Sequence, residues 1–172
     1  MRYAALIMLL GLAIPGCKTK KVETRQTVEE APRMSSTIRM GDASAAAQLV
    51  SGFHQIEDNN WRWTQREFTV SLGVPPGAAQ KGAVLSLRLS VPPPVIEKLK
   101  TVTLTASING TDLEPETYSR TGSDTYKRNV PPALLTTDTV QVNFRLDKAM
   151  PPGGGDLREL GLVTLSAGLE TK

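Results

Sequence analysis

Four aromatic side chains are the residues of this sequence that are best suited to bind a ligand. Trp61 and Trp63 are separated by one residue, and Tyr118 and Tyr126 lie in or beside the polar segment 112–131. The face of an aromatic ring is apolar and electron-rich, so it stacks against the C–H groups of a sugar ring. Polar loops on a rigid domain commonly carry binding sites. These four residues are therefore the candidate ligand-binding residues.

Both aromatic pairs also have a structural interpretation. If residues 61–74 form one regular strand, the odd-numbered tryptophans point away from the core, because the inward residue Phe68 has an even number. If a bulge near residues 64–66 resets this phase, both indoles enter the core. We expect burial, since tryptophan is mostly buried in folded domains. The rings of Tyr118 and Tyr126 would, in the structural interpretation, close one end of the domain.

The sequence lacks the residue sets that catalysis and metal binding need. His54 is the single histidine and has neither a second histidine nor a cysteine with which to share Zn²⁺. Residues 58–60 carry oxygen ligands suited to Ca²⁺, but a polar hairpin loop is the simpler explanation. Asp156 and Glu159 resemble a glycosidase pair, yet Arg158 between them favours an ion pair. We expect no catalytic residue, no metal and no cofactor.

Cys17 is the one cysteine of the chain and follows a short apolar run. Arg2 precedes residues 3–14, which are too few to cross a bilayer but suit the core of a secretory signal. An unpaired thiol is a reactive liability in an exported protein, although a chance cysteine after an ordinary signal peptide is the alternative. Residues 12–17 resemble the lipobox of bacterial lipoproteins. This resemblance implies cleavage after residue 16 and a diacylglyceryl group on the Cys17 thiol.

The lipoprotein resemblance implies a location at the bacterial cell envelope. Lys18 stands where, in enterobacterial lipoproteins, an aspartate would resemble an inner-membrane retention signal, so the outer membrane is favoured. The expected partners are the membrane, through the lipid, and a glycan or an envelope protein. The net charge of +3 is small, and basic residues are mixed with acidic ones. This distribution does not favour nucleic-acid binding.

The sequence divides into three parts. Residues 1–16 are the expected signal peptide. Residues 17–41 have no hydrophobic period and are rich in charge, threonine and serine, which predicts a lipidated, flexible tether. Such a tether would hold the domain about 25–30 Å from the lipid. The folded domain is expected at residues 42–172.

Strands are the predicted elements of that domain. Five segments alternate apolar and polar residues, which gives each strand one buried and one solvated face. Proline runs at 75–76 and 92–94 stop strands, since proline cannot donate a ladder hydrogen bond, and Asn109-Gly110 is typical of a type I′ hairpin. The alternating segments lie at residues 67–74, 84–91, 102–108, 140–147 and 163–169. The pattern predicts an all-β, antiparallel two-sheet β-sandwich of about eight strands, jelly-roll-like.

The sequence also resembles a small jelly-roll domain of uncharacterised bacterial proteins over about residues 50–170. Similar domains occur alone on exported lipoproteins or joined to glycosyltransferases, and their shape is similar to that of galactose-binding-like modules. The resemblance implies a β-sandwich in a glycan-related setting and transfers no catalytic residue. The residues that carry it are Gly52-Phe53-His54 with Glu57, Trp61-Arg62-Trp63-Thr64, residues 140–148 and residues 158–161.

Three hypotheses about function follow. The leading one is a membrane-anchored envelope lipoprotein whose non-catalytic β-sandwich binds carbohydrate or an envelope component. The second is a structural or assembly lipoprotein that docks another envelope protein through a sheet edge, without a small ligand. The third is an unrecognised glycan hydrolase. Exposed aromatic rings favour the first, an open edge or apolar patch the second, and converging carboxylates the third.

The lipid on Cys17 can be tested by substitution. Cys17→Ser should move the protein from the membrane fraction to the soluble exported fraction, because the serine hydroxyl cannot take the place of the thiol in lipid attachment. Cell fractionation measures this, with Ser36→Ala as a control that keeps the thiol. An unmodified Cys17 thiol in the mature protein, seen by mass spectrometry, would contradict the prediction.

Overall fold

Residues 34–172 are described by the computed structural model, so Cys17 and the predicted signal peptide lie outside the described residues. Within this range there are ten strands, two short α-helices and two 3₁₀ turns, and no helix is long and apolar enough to cross a membrane. The helices are α1 (Ala78–Lys81) and α2 (Pro93–Leu99), and the 3₁₀ turns are Ala43–Gln48 and Pro132–Leu134. The strands are β1 (Thr37–Arg39), β2 (Leu49–Glu57), β3 (Trp61–Gly73), β4 (Ala83–Val91), β5 (Val102–Ile108), β6 (Thr111–Asp112), β7 (Glu116–Tyr118), β8 (Gly122–Val130), β9 (Thr139–Leu146) and β10 (Val163–Thr171).

Antiparallel pairing links the strands in the order β6-β5-β9-β3-β10-β4-β8. In addition, β1 pairs with β10, β2 with β3 and β7 with β5. The hydrogen-bonded path curls into two facing layers, because Tyr126 of β8 meets Phe144 of β9 edge-on with ring centroids 6.4 Å apart. The domain is an antiparallel, jelly-roll-like β-sandwich, and the predicted fold class is confirmed.

β3 takes part in both layers. Near its start, Trp63 pairs with Val163 of β10. Further along, Phe68 pairs with Phe144 of β9, and their rings stack with centroids 4.9 Å apart. Thr64 and Phe68 are both buried, whereas residues 65–67 between them are exposed. Because both buried residues are even-numbered, the same side of β3 faces the core before and after the strand changes its partner from β10 to β9.

The alternating segments form strands because their apolar residues fill the space between the layers. Burial of one such side chain contributes about 1.5–3 kcal/mol relative to leaving it exposed. The buried apolar residues of β4, β5 and β9 are Ala83, Leu85, Leu87, Leu89, Val91, Val102, Leu104, Ala106, Ile108, Val140, Val142, Phe144 and Leu146. The polar residues between them face solvent, as the period of two predicts.

Two hairpins depend on left-handed backbone conformations. Asn109 and Gly110, at φ 51° and 77°, join β5 to β6 as the sequence predicts. Asp58 and Asn59, at φ 50° and 51°, join β2 to β3 in the same way. Residues 58–60 thus form a hairpin turn, which is the simpler of the two interpretations of this polar run.

The folded domain begins before residue 42, which corrects the expected boundary of the tether. Thr37–Arg39 form β1 at the edge of β10, with Ile38 and Met40 buried. Two apolar residues are too few to produce a recognisable hydrophobic period, so the sequence did not distinguish this strand from the tether. Residues 17–33 of the expected tether lie outside the described residues.

The contribution of β1 can be measured through its methionine. Met40→Ala should lower the free energy of unfolding by about 2–5 kcal/mol, because it empties a fully buried site. Met34→Ala is the matched control, and at 39% exposure it should cost about 0.5 kcal/mol or less. Urea unfolding measures both. A loss for Met40→Ala as small as the control's, about 0.5 kcal/mol or less, would show that β1 does not stabilise the domain.

Candidate ligand-binding groove

Trp63 lines a surface groove of about 640 Å³. One wall is α2, which contributes Glu97 and Lys98. The other wall is residues 150–160, hereafter the rim loop, which connects β9 to β10 and contributes Asp156 and Arg158. The groove therefore combines one aromatic ring with charged side chains of both signs.

The two tryptophans are half-buried, which corrects the expectation that both would be buried in the core. Residues 65–67 are exposed and the register with β2 shifts across this stretch, but the buried residues on either side of it, Thr64 and Phe68, are both even-numbered. The odd-numbered Trp61 and Trp63 therefore stay off the inward face. Trp63 nevertheless packs against the core cluster at its partly covered site. The two indoles meet edge-to-face at 6.4 Å and 78°, so they do not form one flat platform. Trp63 is the indole that lines the groove.

Arg158 is held by two carboxylates. Its Nε and Nη2 donate to Oδ1 and Oδ2 of Asp156 at 3.0 and 2.9 Å, and its Nη1 donates to Oε1 of Glu57 at 2.8 Å. The backbone N–H of Arg158 also donates to Asp156 Oδ1 at 2.9 Å. These hydrogen bonds lower the pKa of Asp156 to about 2 and raise that of Arg158. The ion pair predicted for the Asp-Leu-Arg sequence is present.

The carboxylates of the rim loop are arranged as hydrogen-bond acceptors. Asp156 is bound to Arg158, and Glu159 Oε1 accepts from the backbone N–H of Arg66 at 2.8 Å. A glycosidase general acid needs a raised pKa, whereas the pKa of Asp156 is lowered. Among residues 34–172, no group of three or more His, Cys, Asp or Glu side chains is placed to hold a metal ion. Both carboxylates therefore help to fix the position of the rim loop.

The rim loop has a hairpin-like backbone. Met150 and Leu160 exchange backbone hydrogen bonds of 2.8 and 3.0 Å, and Gly153 and Asp156 exchange bonds of 2.8 and 3.2 Å. His54 Nε2 donates to the Glu159 carbonyl oxygen at 2.7 Å, which ties the loop to β2. The single histidine thus acts as a positioning residue. Nothing in the local sequence indicates this contact, since the two residues are 105 apart.

Thr64 joins the end of the rim loop to β3 beside Trp63. Its backbone N–H donates to the Leu162 carbonyl at 2.8 Å, and its carbonyl accepts from the N–H of Gly161 at 2.7 Å. Its buried hydroxyl accepts from the N–H of Leu162 at 3.1 Å. A Cβ on Gly161 would lie 2.6 Å from both Thr64 Oγ1 and Leu146 Cδ1. Only glycine fits this approach, and the contact fixes where the rim loop stands.

Tyr118 and Tyr126 do not line the groove, which corrects their choice as candidate ligand-binding residues. Both are buried, and burial raises the pKa of each hydroxyl. Tyr126 donates to the Glu114 carbonyl at 2.9 Å, and the Arg128 guanidinium lies 4.3 Å from its ring centroid. Arg128 also pairs with Glu116 at 3.0 Å. The two rings close one end of the sandwich, as in the structural interpretation.

Comparisons with known proteins return only distant structural similarity. No family model matches the sequence, and no curated protein matches it. The solved structure of CBM4 has 11% identity and a TM-score of 0.36, over 79% of this chain and 85% of that chain. TmCBM61, solved in complex with β-1,4-galactotriose, has 10% identity and a TM-score of 0.30, over 65% and 69%. These values are too low to transfer a ligand or a site to this chain.

The Asp156–Arg158 pair should resist acid until the pH falls well below 4. A lowered pKa means that the carboxylate stabilises the folded loop above its ordinary pKa, and that this contribution is lost as the pH falls towards about 2. The NMR signal of the Arg158 Nε–H should stay at its paired position from pH 7 to about pH 4 and shift below it. Asp156→Asn should abolish this transition.

Asp138→Asn is the matched control, because Asp138 is an exposed aspartate that does not line the groove. It should leave the Arg158 transition unchanged. An Arg158 signal that shifts between pH 6 and 5 would mean that Asp156 does not pair with it in solution, because only a carboxyl with a raised pKa titrates there.

Proposed function

We propose that this protein is a non-catalytic, carbohydrate-binding β-sandwich that is anchored by lipid to the bacterial cell envelope. The ligand is a neutral saccharide, and it binds in the groove lined by Trp63. The observation that carries the proposal is the placement of one half-exposed indole and the ion-paired Arg158–Asp156 side chains in the same groove.

A pyranose ring has an apolar face of C–H groups and a polar rim of hydroxyls. The indole of Trp63 supplies an apolar surface for the C–H face. Arg158 has five N–H donors and uses three of them in hydrogen bonds to Asp156 and Glu57. The remaining two can donate to the hydroxyl oxygens of the sugar rim. The carboxylate oxygens have further lone pairs for hydroxyl protons. The groove thus offers both donors and acceptors beside an aromatic ring.

The charge of the groove favours a neutral ligand. Arg158 and Lys98 carry two positive charges, whereas Asp156, Glu57 and Glu97 carry three negative charges, which gives a local sum of −1. An anionic sugar would meet this negative excess and would compete with two carboxylates for Arg158. Neutral hydroxyls can bind without breaking the existing ion pairs.

The lipid anchor rests on the sequence around Cys17, and Lys18 supports the outer membrane. The path of the chain into the domain is compatible with display of the groove. Ser35, close to the start of the described residues, accepts a hydrogen bond from the N–H of Gly73 at 2.9 Å. Gly73 and Trp63 are ten residues apart on β3, about 33 Å if the strand were straight. Ser35 therefore lies beside the end of β3 that is opposite Trp63.

One observation favours docking of an envelope protein as the second candidate function. Leu157, which follows the Gly153–Asp156 turn of the rim loop, is 89% exposed. A protein partner that covered this side chain would remove its apolar surface from water, which favours association. In that case the rim loop, rather than the indole of Trp63, would carry most of the binding energy.

Substitution of Trp63 tests the carbohydrate proposal. The mature chain should bind a neutral glycan on an array, and Trp63→Ala should weaken that binding by roughly tenfold or more, because the stacking surface is lost. Trp63→Phe should retain most of the affinity. Trp61→Ala is the matched control and should change the affinity by less than about threefold, because Trp61 does not line the groove.

Calorimetric titration with the bound glycan measures these affinities, and thermal unfolding confirms that each variant is folded. Affinity that survives Trp63→Ala in a folded variant would contradict the proposal. Loss of binding to an envelope protein in Leu157→Ser, with no glycan bound by the native chain, would favour the docking function instead. Release of shortened saccharides during the titration would favour a hydrolase.

A further inference from the structure

The outward surface of β1, β10 and β4 carries a second groove, of about 490 Å³. Its floor is built from small residues, Ser86 of β4 with Ser166 and Gly168 of β10. Gly168 is required by close packing, since a Cβ there would lie 2.7 Å from Thr37 Oγ1. This surface, hereafter the arginine cleft, shares no lining residue with the groove at Trp63.

Two arginines flank the floor of the arginine cleft in one cross-strand row. Arg39 of β1 is in register with Ser166 of β10, and Ser166 is in register with Arg88 of β4. Adjacent strands lie about 4.8 Å apart, so the two arginine Cα atoms are about 10 Å apart. Both arginines are exposed while their neighbours Ile38 and Leu87 are buried, so both point outward. Their long side chains can converge above Ser166.

Neither guanidinium of this row has a hydrogen-bond or ion-pair partner among residues 34–172. Elsewhere in the same range, the guanidiniums of Arg62, Arg128 and Arg158 bind carbonyl oxygens or carboxylates. Two guanidinium groups on either side of a small floor, whose donors have no partner in the described part of the chain, attract an oxyanion. A planar guanidinium can donate two parallel hydrogen bonds to two oxygens of a phosphate, whereas the ammonium group of a lysine acts as a point charge.

The neutral and acidic residues of the cleft define where such an anion would lie. The hydroxyls of Ser86 and Ser166 and the amide of Asn60 line the cleft and add donors near the arginine row. Glu170 also lines the cleft, but it lies four residues along β10 from Ser166, at about 13 Å. The cleft is therefore positive at the arginine row and negative at the opposite end.

We propose that the arginine cleft binds a phosphate group, carried either by a lipid headgroup or by a soluble phosphorylated compound. The phosphate oxygens accept hydrogen bonds from Arg39 and Arg88, and the rest of the molecule extends along the serine floor towards Glu170. This site is independent of the carbohydrate proposal, because the two grooves have different lining residues, and one favours a neutral ligand whereas the other favours an anion.

The test uses the mature chain with Cys17→Ser, so that no lipid anchor contributes. Inorganic phosphate and glycerol 3-phosphate are titrated and followed by NMR. Vesicles of phosphatidylcholine, with and without about one-fifth phosphatidylglycerol, are tested by sedimentation. Binding of the soluble phosphates alone would identify a soluble source, and binding confined to the anionic vesicles would identify a headgroup.

Arg39→Gln with Arg88→Gln should weaken binding of the preferred probe by roughly tenfold or more. The control pair, Arg120→Gln with Lys81→Gln, removes the same charge from exposed sites outside the cleft and should have less than about a twofold effect. The Arg39/Arg88 variant should keep any glycan affinity. Absence of binding to every probe, or equal losses in the two double variants, would overturn the proposal.

Discussion

The hydrogen bonds of Thr64 with Gly161 and Leu162 are the contact on which the candidate site depends. They lie where β3 changes its partner from β10 to β9, so they join the two layers of the sandwich as well as the rim loop. Both backbone groups and the hydroxyl of Thr64 are engaged, and leaving such a buried polar group unpaired costs about 1–3 kcal/mol. The glycine at 161 is what allows the backbones to approach so closely.

The position of the groove follows from this contact. Trp63 immediately precedes Thr64, and Arg158 lies three residues before Gly161, so one junction positions both the indole and the rim-loop wall of the groove. Thr64 and Phe68 occupy the inward face of β3, so the indole of Trp63 lies on the opposite face, where it is half-buried. The binding surface is thus a consequence of how the sandwich closes.

The sequence predicted most of the fold because a period of two along a strand is a local signal. The strands around Phe68, Leu87 and Val142, and the Asn109-Gly110 turn, were all predictable in this way. It did not predict β1, which has too few apolar residues to form a pattern. It also could not predict the site, because the bonds from Thr64 to Leu162 and from Arg158 to Glu57 join residues 98 and 101 positions apart. The ion pair between Asp156 and Arg158 was predictable because the two residues are neighbours.

The position of a bound neutral glycan tests the central proposal most directly. In a ¹⁵N-labelled protein titrated with the glycan, the indole N–H of Trp63 and the backbone amides of Asp156 and Arg158 should shift together. The amides of β8, which contributes no residue to the lining of the groove, should stay in place. Shifts confined to the groove around Thr105 and Asn143 on the outer surface of β5 and β9, with the Trp63 signal unchanged, would contradict it.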